Sequence, residues 1–447
     1  MLRRAAAALA SPALATLLAL AVLPAPAPAA EAGDSLLHAH EGRPLGRYTF
    51  SGNRITKDYV IARELELRPG RPLAADSLEE DLARLDNLSI FSSVRPVFTA
   101  RGDSSDLDLV IKEMPALVPY PAISYNEIDG WSAGLGVASL NLLGRGISLS
   151  ASVLPVGTWQ GKVKFSYPWI AGNHFGLAAT YANLDRLDEL NGFREKSNEF
   201  TPQVSTYFGR HGRLRGFLDY LGMSSDVDGK TLSSDNHDDL VRLGVAAGYD
   251  SRDSYRRPVC GWQNEVQVLR TGGFLPGDGD FWSGDLDLRL YQPGFRRHTL
   301  RAGALLSLQS GTVGEDIPVY LQYRMGGANS IRGYDPIELG TQLYGKNQYI
   351  FTFEYGFPVR PIREYRLFKW TISLGLDVAA FLDHGLAWNE AEEISLKRSR
   401  TGIGAGFRLL VPGMEQFRFD FAVGEGGELQ FHFASGAKMP AQRNRIR

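Results

Sequence analysis

One cysteine, Cys260, stands in 447 residues. An intrachain disulfide is excluded, and so is a metal site built on a cysteine cluster. No surplus of charge exists either: 48 Lys and Arg face 50 Asp and Glu, which leaves no electrostatic footprint for nucleic acid. Beyond the N-terminus no apolar run reaches the length of a spanning helix. No nucleophile elbow of the Gly-x-Ser-x-Gly kind, no His-Glu-x-x-His helix and no complete Walker loop is read in the chain. The sequence therefore reads as a non-enzyme with no catalytic residue, no cofactor and no metal. The run Asp235-Asn236-His237-Asp238-Asp239 offers groups for a cation but is read as a solvated outer loop.

What is present falls into five segments. Residues 1–30 carry Arg3 and Arg4, an apolar Ala/Leu run and Ala27-Pro28-Ala29, the pattern of a secretory signal peptide with an A-x-A-like cleavage site. Residues 31–44 form a flexible lead-in. Residues 45–115 read as a small α+β domain in the order strand, helix, helix, strand, strand. Thr56 is expected to cap the first helix and Asp76 the second, whose stripe is Leu78, Leu82, Leu85 and Leu88. An open three-stranded sheet of this kind leaves an edge for a strand from another polypeptide. Residues 116–436 follow, and residues 437–447 make a polar tail.

The long segment alternates apolar and polar residues between Gly, Asn, Asp and Pro punctuation. Lys162, Lys164 and Ser166 oppose Val163, Phe165 and Tyr167; Arg418 and Asp420 oppose Phe417, Phe419 and Phe421. Charges on one face and bulky apolar groups on the other form the dyad pattern of a transmembrane β-barrel of about sixteen strands. Closing the sheet satisfies backbone groups that lipid cannot. A soluble β-sandwich explains the alternation but not the charged inner rows. Short turns at 168–173, 209–212, 293–297 and 412–416 face the periplasm, and longer loops at 184–197, 224–238, 311–346 and 384–399 face outward.

One loop stands out. Met325-Gly326-Gly327-Ala328-Asn329-Ser330-Ile331-Arg332-Gly333-Tyr334 is glycine-rich enough to fold back tightly and present one long cation. Downstream, Glu354 and Asp383 both fall opposite the greasy faces of neighbouring strands, which makes them the natural destination for Arg332. The alternative is a flexible surface loop with a solvated arginine. Gly402, Gly404 and Gly406 read as small residues on an inner face that make room for the loop.

These residues resemble the BamA/TamA superfamily of outer-membrane assembly and translocation barrels, of the bacterial surface antigen type, with a single POTRA domain at 45–115. Ile331-Arg332-Gly333-Tyr334 resembles the family's lid-loop signature, and Phe381-Leu382-Asp383-His384-Gly385 resembles the strand that receives the arginine. Asp250, Arg252, Asp253, Pro258 and Gly261 resemble a family turn; Asn141 with Gly144-Arg145-Gly146 resembles an early Asn-x-x-Gly-x-Gly turn. Leu429, Phe431 and Phe433 resemble a final-strand assembly signal. The resemblance implies residence in the outer membrane of a Gram-negative-type bacterium, with the POTRA domain in the periplasm. It implies an insertion or assembly factor acting through a lateral seam of the barrel, with unfolded client polypeptides, outer-membrane lipids and accessory periplasmic proteins as partners. The alternatives are a dedicated polypeptide exporter and a passive porin-like channel. Pro119 and Pro121 lack amide donors, which fits equally a first strand that pairs weakly and a frayed strand start.

Overall fold

A computed structural model describes residues 40–88, 90–170, 175–253, 258–295, 298–367, 370–410 and 417–435. The expected signal peptide, most of the lead-in and the polar tail lie outside the described residues.

The small domain begins with β1 (Leu45–Ser51), α1 (Asp58–Ala62) and α2 (Ala75–Asn87), followed by β2 (Phe91–Arg101) and β3 (Ser104–Glu113). Its sheet runs β1-β3-β2, with β1 parallel and β2 antiparallel to β3, so β1 and β2 form the edges. Period-two apolar residues Leu107, Leu109 and Ile111 on β3 meet Leu78 and Leu85 of α2 in one buried cluster. The helix caps differ from expectation. The residue before α1 is Lys57, and Thr56 instead gives its hydroxyl and amide to the Glu113 carboxylate at 2.5 and 2.6 Å. Ala74 precedes α2, so Asp76 sits in the first turn, where its charge still complements the helix dipole.

Sixteen strands form the second sheet. They are β4 (Val118–Asn126), β5 (Gly130–Leu142), β6 (Ile147–Val156), β7 (Trp159–Tyr167), β8 (Phe175–Asp188), β9 (Phe193–Phe208), β10 (Gly212–Ser225) and β11 (His237–Asp250). Next come β12 (Gly261–Gly272), β13 (Asp280–Pro293) and β14 (Thr299–Gln309); after a long loop, β17 (Asn347–Leu367), β18 (Trp370–Trp388), β19 (Arg400–Leu410), β20 (Phe417–Val423) and β21 (Leu429–Ser435). That loop holds the two-residue pair β15 (Tyr323–Arg324) and β16 (Tyr344–Gly345), with α3 (Pro336–Gln342) between them. Every barrel strand pairs antiparallel with its neighbours, from β4 at one end of the order to β21 at the other. Among the described residues no register joins β21 to β4, and this is the seam of the barrel.

Burial is inverted relative to a water-soluble core. Leu135, Val245, Val266 and Ile403 are exposed, while Arg242, Arg332, Arg408, Arg418, Asp383 and Asp420 are buried. Only a wall with lipid outside and a polar lumen makes that arrangement favourable. Among the described residues no helix is long and apolar enough to cross a membrane. The expected long loop at 184–197 is a correction: β8 and β9 run on, leaving only residues 189–192 between them. Polar side chains had masked the strands, and cross-strand pairs such as Arg186 with Glu195 at 2.9 Å and Arg194 with Asp185 at 2.6 Å carry them.

The small domain is docked on the barrel's periplasmic turns. Asn141 donates to Thr56 Oγ1 at 2.7 Å and accepts from Gly146 N at 2.8 Å, while Lys57 N donates to Gly144 O at 2.9 Å. Gly144 has φ +70° and lies so close to the Ile55 carbonyl that a Cβ would collide with it. The Arg63 guanidinium stacks on Trp169 at 4.6 Å, and Arg210 reaches Glu66 and Glu80 at 2.9 and 3.2 Å. We expect Gly144→Ala to undock the domain, read as faster proteolysis of the linker 114–117 with barrel gel mobility unchanged. Burial works to raise the Glu113 carboxyl, but hydrogen bonds from Thr56 and Ile55 outweigh it and hold the group below its ordinary value. Its contribution is therefore full above the unfolded value of about 4.3 and lost as pH falls through the lower folded value. Linker cleavage should rise on acidification below about pH 4, and Glu113→Gln should flatten that response.

Candidate functional site

The lid loop returns into the lumen because its glycines allow close approach. Gly326, Gly327 and Gly333 have φ of +107°, +86° and +93°, a region that favours glycine. Asp335 caps α3 by accepting from Ile337 N and Glu338 N, and Pro336 starts the helix. Ile331 is buried in an apolar cluster with Met325, Leu339, Ile350 and Leu386. One residue later the chain turns its cation to the wall.

Arg332 is fully buried. Its Nε and Nη2 donate to the two oxygens of Asp383 at 2.7 and 3.0 Å, the bidentate fork that guanidinium geometry favours. Nη1 donates to Glu354 at 2.7 Å and to Asp420 at 3.0 Å, and the backbone amide adds a bond to Asp383 at 3.1 Å. The guanidinium lies 3.3 Å over the Phe381 ring. Thr352 Oγ1 donates to Asp383 at 2.6 Å and holds the carboxylate from behind. Glu354 and Asp383 sit on the lumenal side of the paired strands β17 and β18, where Glu354 faces Phe381 and Thr352 faces Asp383 in register.

Two further arginines join the cluster. Arg408 bonds Asp420 and reaches Glu354 at 3.1 Å; Arg418 lies 3.4 Å from Asp420 and donates to the Asn329 side chain at 2.7 Å. Three carboxylates thus meet three buried guanidiniums, with Arg301 a fourth at 3.9 Å from Glu354, and each charge has an opposite neighbour. Gly402, Gly404 and Gly406 give the room: a Cβ there would meet the Arg332 carbonyl, the Phe381 ring and the Asp420 carboxylate.

The remaining motif positions have separate roles. Gly333 approaches Val423 so closely that a Cβ would clash, and its amide donates to His432 Nε2 at 2.9 Å. Tyr334 Oη donates to Thr401 O at 3.0 Å and accepts from Glu425 N at 2.9 Å. The turn residues are not brought to the lid. Arg252 forks onto Asp250 at 2.9 Å through both Nε and Nη2, Asp253 accepts from Val259 N and Cys260 N, and Gly261 at φ +106° lies against Ser251 O. Pro258 is buried in the same turn. Leu429 and Phe431 face lipid at 69% and 52% exposure, and Phe433 packs on Trp131 across the seam with ring centroids 5.2 Å apart.

Sequence reasoning missed Asp420, Arg408 and Arg418 as members of the site, and named Phe381 only as part of the receiving motif, not as the ring beneath the guanidinium. Arg418 and Asp420 had been seen on the charged face of their strand, but alternation says which face a residue occupies and not which partner lies across the lumen. It also missed that Gly130-Trp131-Ser132-Ala133-Gly134 does spell Gly-x-Ser-x-Gly. That stretch is the start of β5, and Ser132 Oγ accepts from Thr158 N at 3.1 Å, so it lacks the strand-to-helix turn of a nucleophile elbow.

Removing the guanidinium leaves Asp383 buried without its fork, a local cost of about 3 to 5 kcal/mol in a dry site. Arg332→Lys should fare nearly as badly as Arg332→Ala, because one ammonium cannot bridge three carboxylates in fixed directions. The check is maleimide labelling of Ser330→Cys, at a position 3% exposed, in a background free of Cys260. Labelling should be slow with Arg332 and fast with either replacement.

Comparison with known proteins bears on this geometry. The Omp85 superfamily domain matches residues 141–439, and the POTRA model, a surface antigen variable number repeat, matches residues 44–114. The chain is 25% identical over 419 residues to the outer membrane protein assembly factor BamA of Nitratidesulfovibrio vulgaris, covering 87% of this chain and 50% of that one. It is 23% identical over 433 residues to BamA of Neisseria meningitidis serogroup B, covering 86% and 52%. The chain therefore spans about half the length of the curated relatives it matches. Among solved structures, BamA from Haemophilus ducreyi lacking POTRA domains 1–3 superposes with a TM-score of 0.58 at 17% identity, covering 88% of this chain and 84% of that one. CdiB from Escherichia coli gives 0.59 at 15% identity, covering 89% and 74%. Those two likenesses concern the fold. A sixteen-stranded wall with lipid outside, a docked POTRA domain and the two family matches agree, and the chain belongs to the Omp85 superfamily as an outer-membrane barrel whose POTRA domain stands in the periplasm.

Proposed function

We propose that the protein is an outer-membrane protein assembly factor that inserts client strands through the seam between β4 and β21. The observation that carries this reading is the seam itself: among the described residues every other neighbouring pair of barrel strands is in register, and this pair is not. A proline inside a sheet is tolerated where its missing donor faces an unpaired side. Pro119 and Pro121 keep register with Val137 and Leu135 of β5, which is the pattern expected where the missing donors face the other, seam edge of β4. Missing donors on that edge keep its pairing with β21 weak, so the seam is the place where the wall parts most easily.

The lid-loop residues Ile331, Arg332, Gly333 and Tyr334 hold the loop inside the lumen against Asp383 and Glu354, so the lumen is not a simple open pore. Unfolded barrel precursors are the clients, and the open edges of the POTRA sheet receive them on the periplasmic side. Lipids meet the apolar band, and accessory periplasmic proteins meet the POTRA face. The names of the curated relatives, assembly factors rather than enzymes or channels, support the same reading.

Depletion followed by quantitative proteomics of outer membrane and medium tests it. Several barrel proteins should fall together in the membrane fraction. Loss of one secreted polypeptide with the barrels unchanged would replace this reading with that of a dedicated exporter.

A further inference from the structure

Among the described residues no strand register crosses the seam, and side chains reach across it instead. On the lipid face Phe433 packs against Tyr125 and Trp131, with ring centroids 5.6 and 5.2 Å apart. On the lumenal face His432 of β21 bonds through Nδ1 to Glu127, the residue that follows β4. His432 is 2% exposed and the Glu127 side chain 12%, so this polar bridge is largely shielded from bulk water.

Both partners are also held by the lid loop. Gly333 N donates to His432 Nε2 at 2.9 Å, and Ala328 N donates to the second Glu127 oxygen at 2.5 Å. A backbone amide can only donate, so Nε2 carries no proton and Nδ1–H points at the carboxylate; the tautomer is assigned by its partners. Gly327 lies so near Glu127 that a Cβ there would displace the carboxylate. Gly333 follows Arg332 directly, and the Ala328 carbonyl accepts from Arg418 at 3.3 Å. The loop that the arginine cluster anchors is thus the loop that aims both halves of the bridge.

We infer that Glu127 and His432 are positioning residues forming a latch across the barrel seam, and that the lid loop sets it. The inference rests on the lateral-seam reading above and names its control. With the loop seated, imidazole and carboxylate are fixed by four hydrogen-bonding atoms and the seam is shut. When the loop leaves, Gly333 and Ala328 go with it, the bridge loses its aim, and only the aromatic contact on the lipid side remains. A lumenal cavity of about 500 Å³, walled by lid-loop residues and by Ser124, Glu127 and Ala434 beside the seam, gives the opened edge a space to face.

Spin labels at Ile123 and Leu429, exposed residues of β4 and β21, report the seam width in the full chain with Cys260→Ser. Wild type and His432→Gln should give one narrow distance, because a glutamine amide can accept from Gly333 and donate to Glu127. His432→Leu, Glu127→Ala and Arg332→Ala should add a population longer by at least one strand spacing, about 5 Å. A narrow distance retained in His432→Leu and Glu127→Ala, in barrels that still shift on gels after boiling, would overturn the latch. Should His432→Leu fail to fold, Glu127→Ala and Gly327→Ala decide in the same way. A widened seam with client insertion unaffected would support the latch and sink the lateral-seam reading, so the two fail separately.

Discussion

A guanidinium that cannot lose its charge is held in the dry interior of the barrel, and the arrangement around it follows from that constraint. Arg332 is fully buried against Asp383, Glu354 and Asp420, with Arg408 and Arg418 completing the balance. Desolvation offsets much of the attraction in such a cluster, so its value to global stability is small. Its value is directional. Five donors in a rigid fork, answered by carboxylates on β17, β18 and β20, admit one position of the loop, and small residues at 402, 404 and 406 are the condition for reaching it.

From that position the loop touches what the barrel leaves unfinished. Among the described residues the strand order runs without a break from β4 to β21, with no register joining those two. The residues beside the arginine, Ala328 and Gly333, reach the two sides of the gap through Glu127 and His432. At the periplasmic end the POTRA domain is fixed by contacts to turns after β5, β7 and β9, so its sheet is oriented by the first half of the barrel. The molecule thus pairs a rigid wall with one joint that relies on side chains.

Much of this was legible in the sequence because lipid forces a simple rule. Outward residues must be apolar and inward ones need not be, so alternation alone gave sixteen strands, the polar lumen and the faces of Glu354 and Asp383. Where strands rise beyond the apolar band the rule lapses, which is why the ends of β8 and β9 read as loop. Long-range partnership was not legible. Arg332 and Asp420 are 88 residues apart and Glu127 and His432 are 305 apart, and no local pattern encodes such a meeting. Thr56 shows the same limit at short range: a residue type suited to a helix cap is claimed instead by Glu113, a partner 57 positions away.

The central claim is that Arg332 and Asp383 act as one interaction that seats the loop. A double-mutant cycle on Arg332→Ala and Asp383→Ala, read as the equilibrium accessibility of a cysteine at Ser330, measures their coupling directly. The account predicts that the double mutant exposes the loop scarcely more than Arg332→Ala alone. It also predicts that Asp383→Ala falls short of Arg332→Ala, because Glu354 and Asp420 still hold the guanidinium. Effects that simply add would mean that the two residues act independently, and the loop would have to be seated by something else.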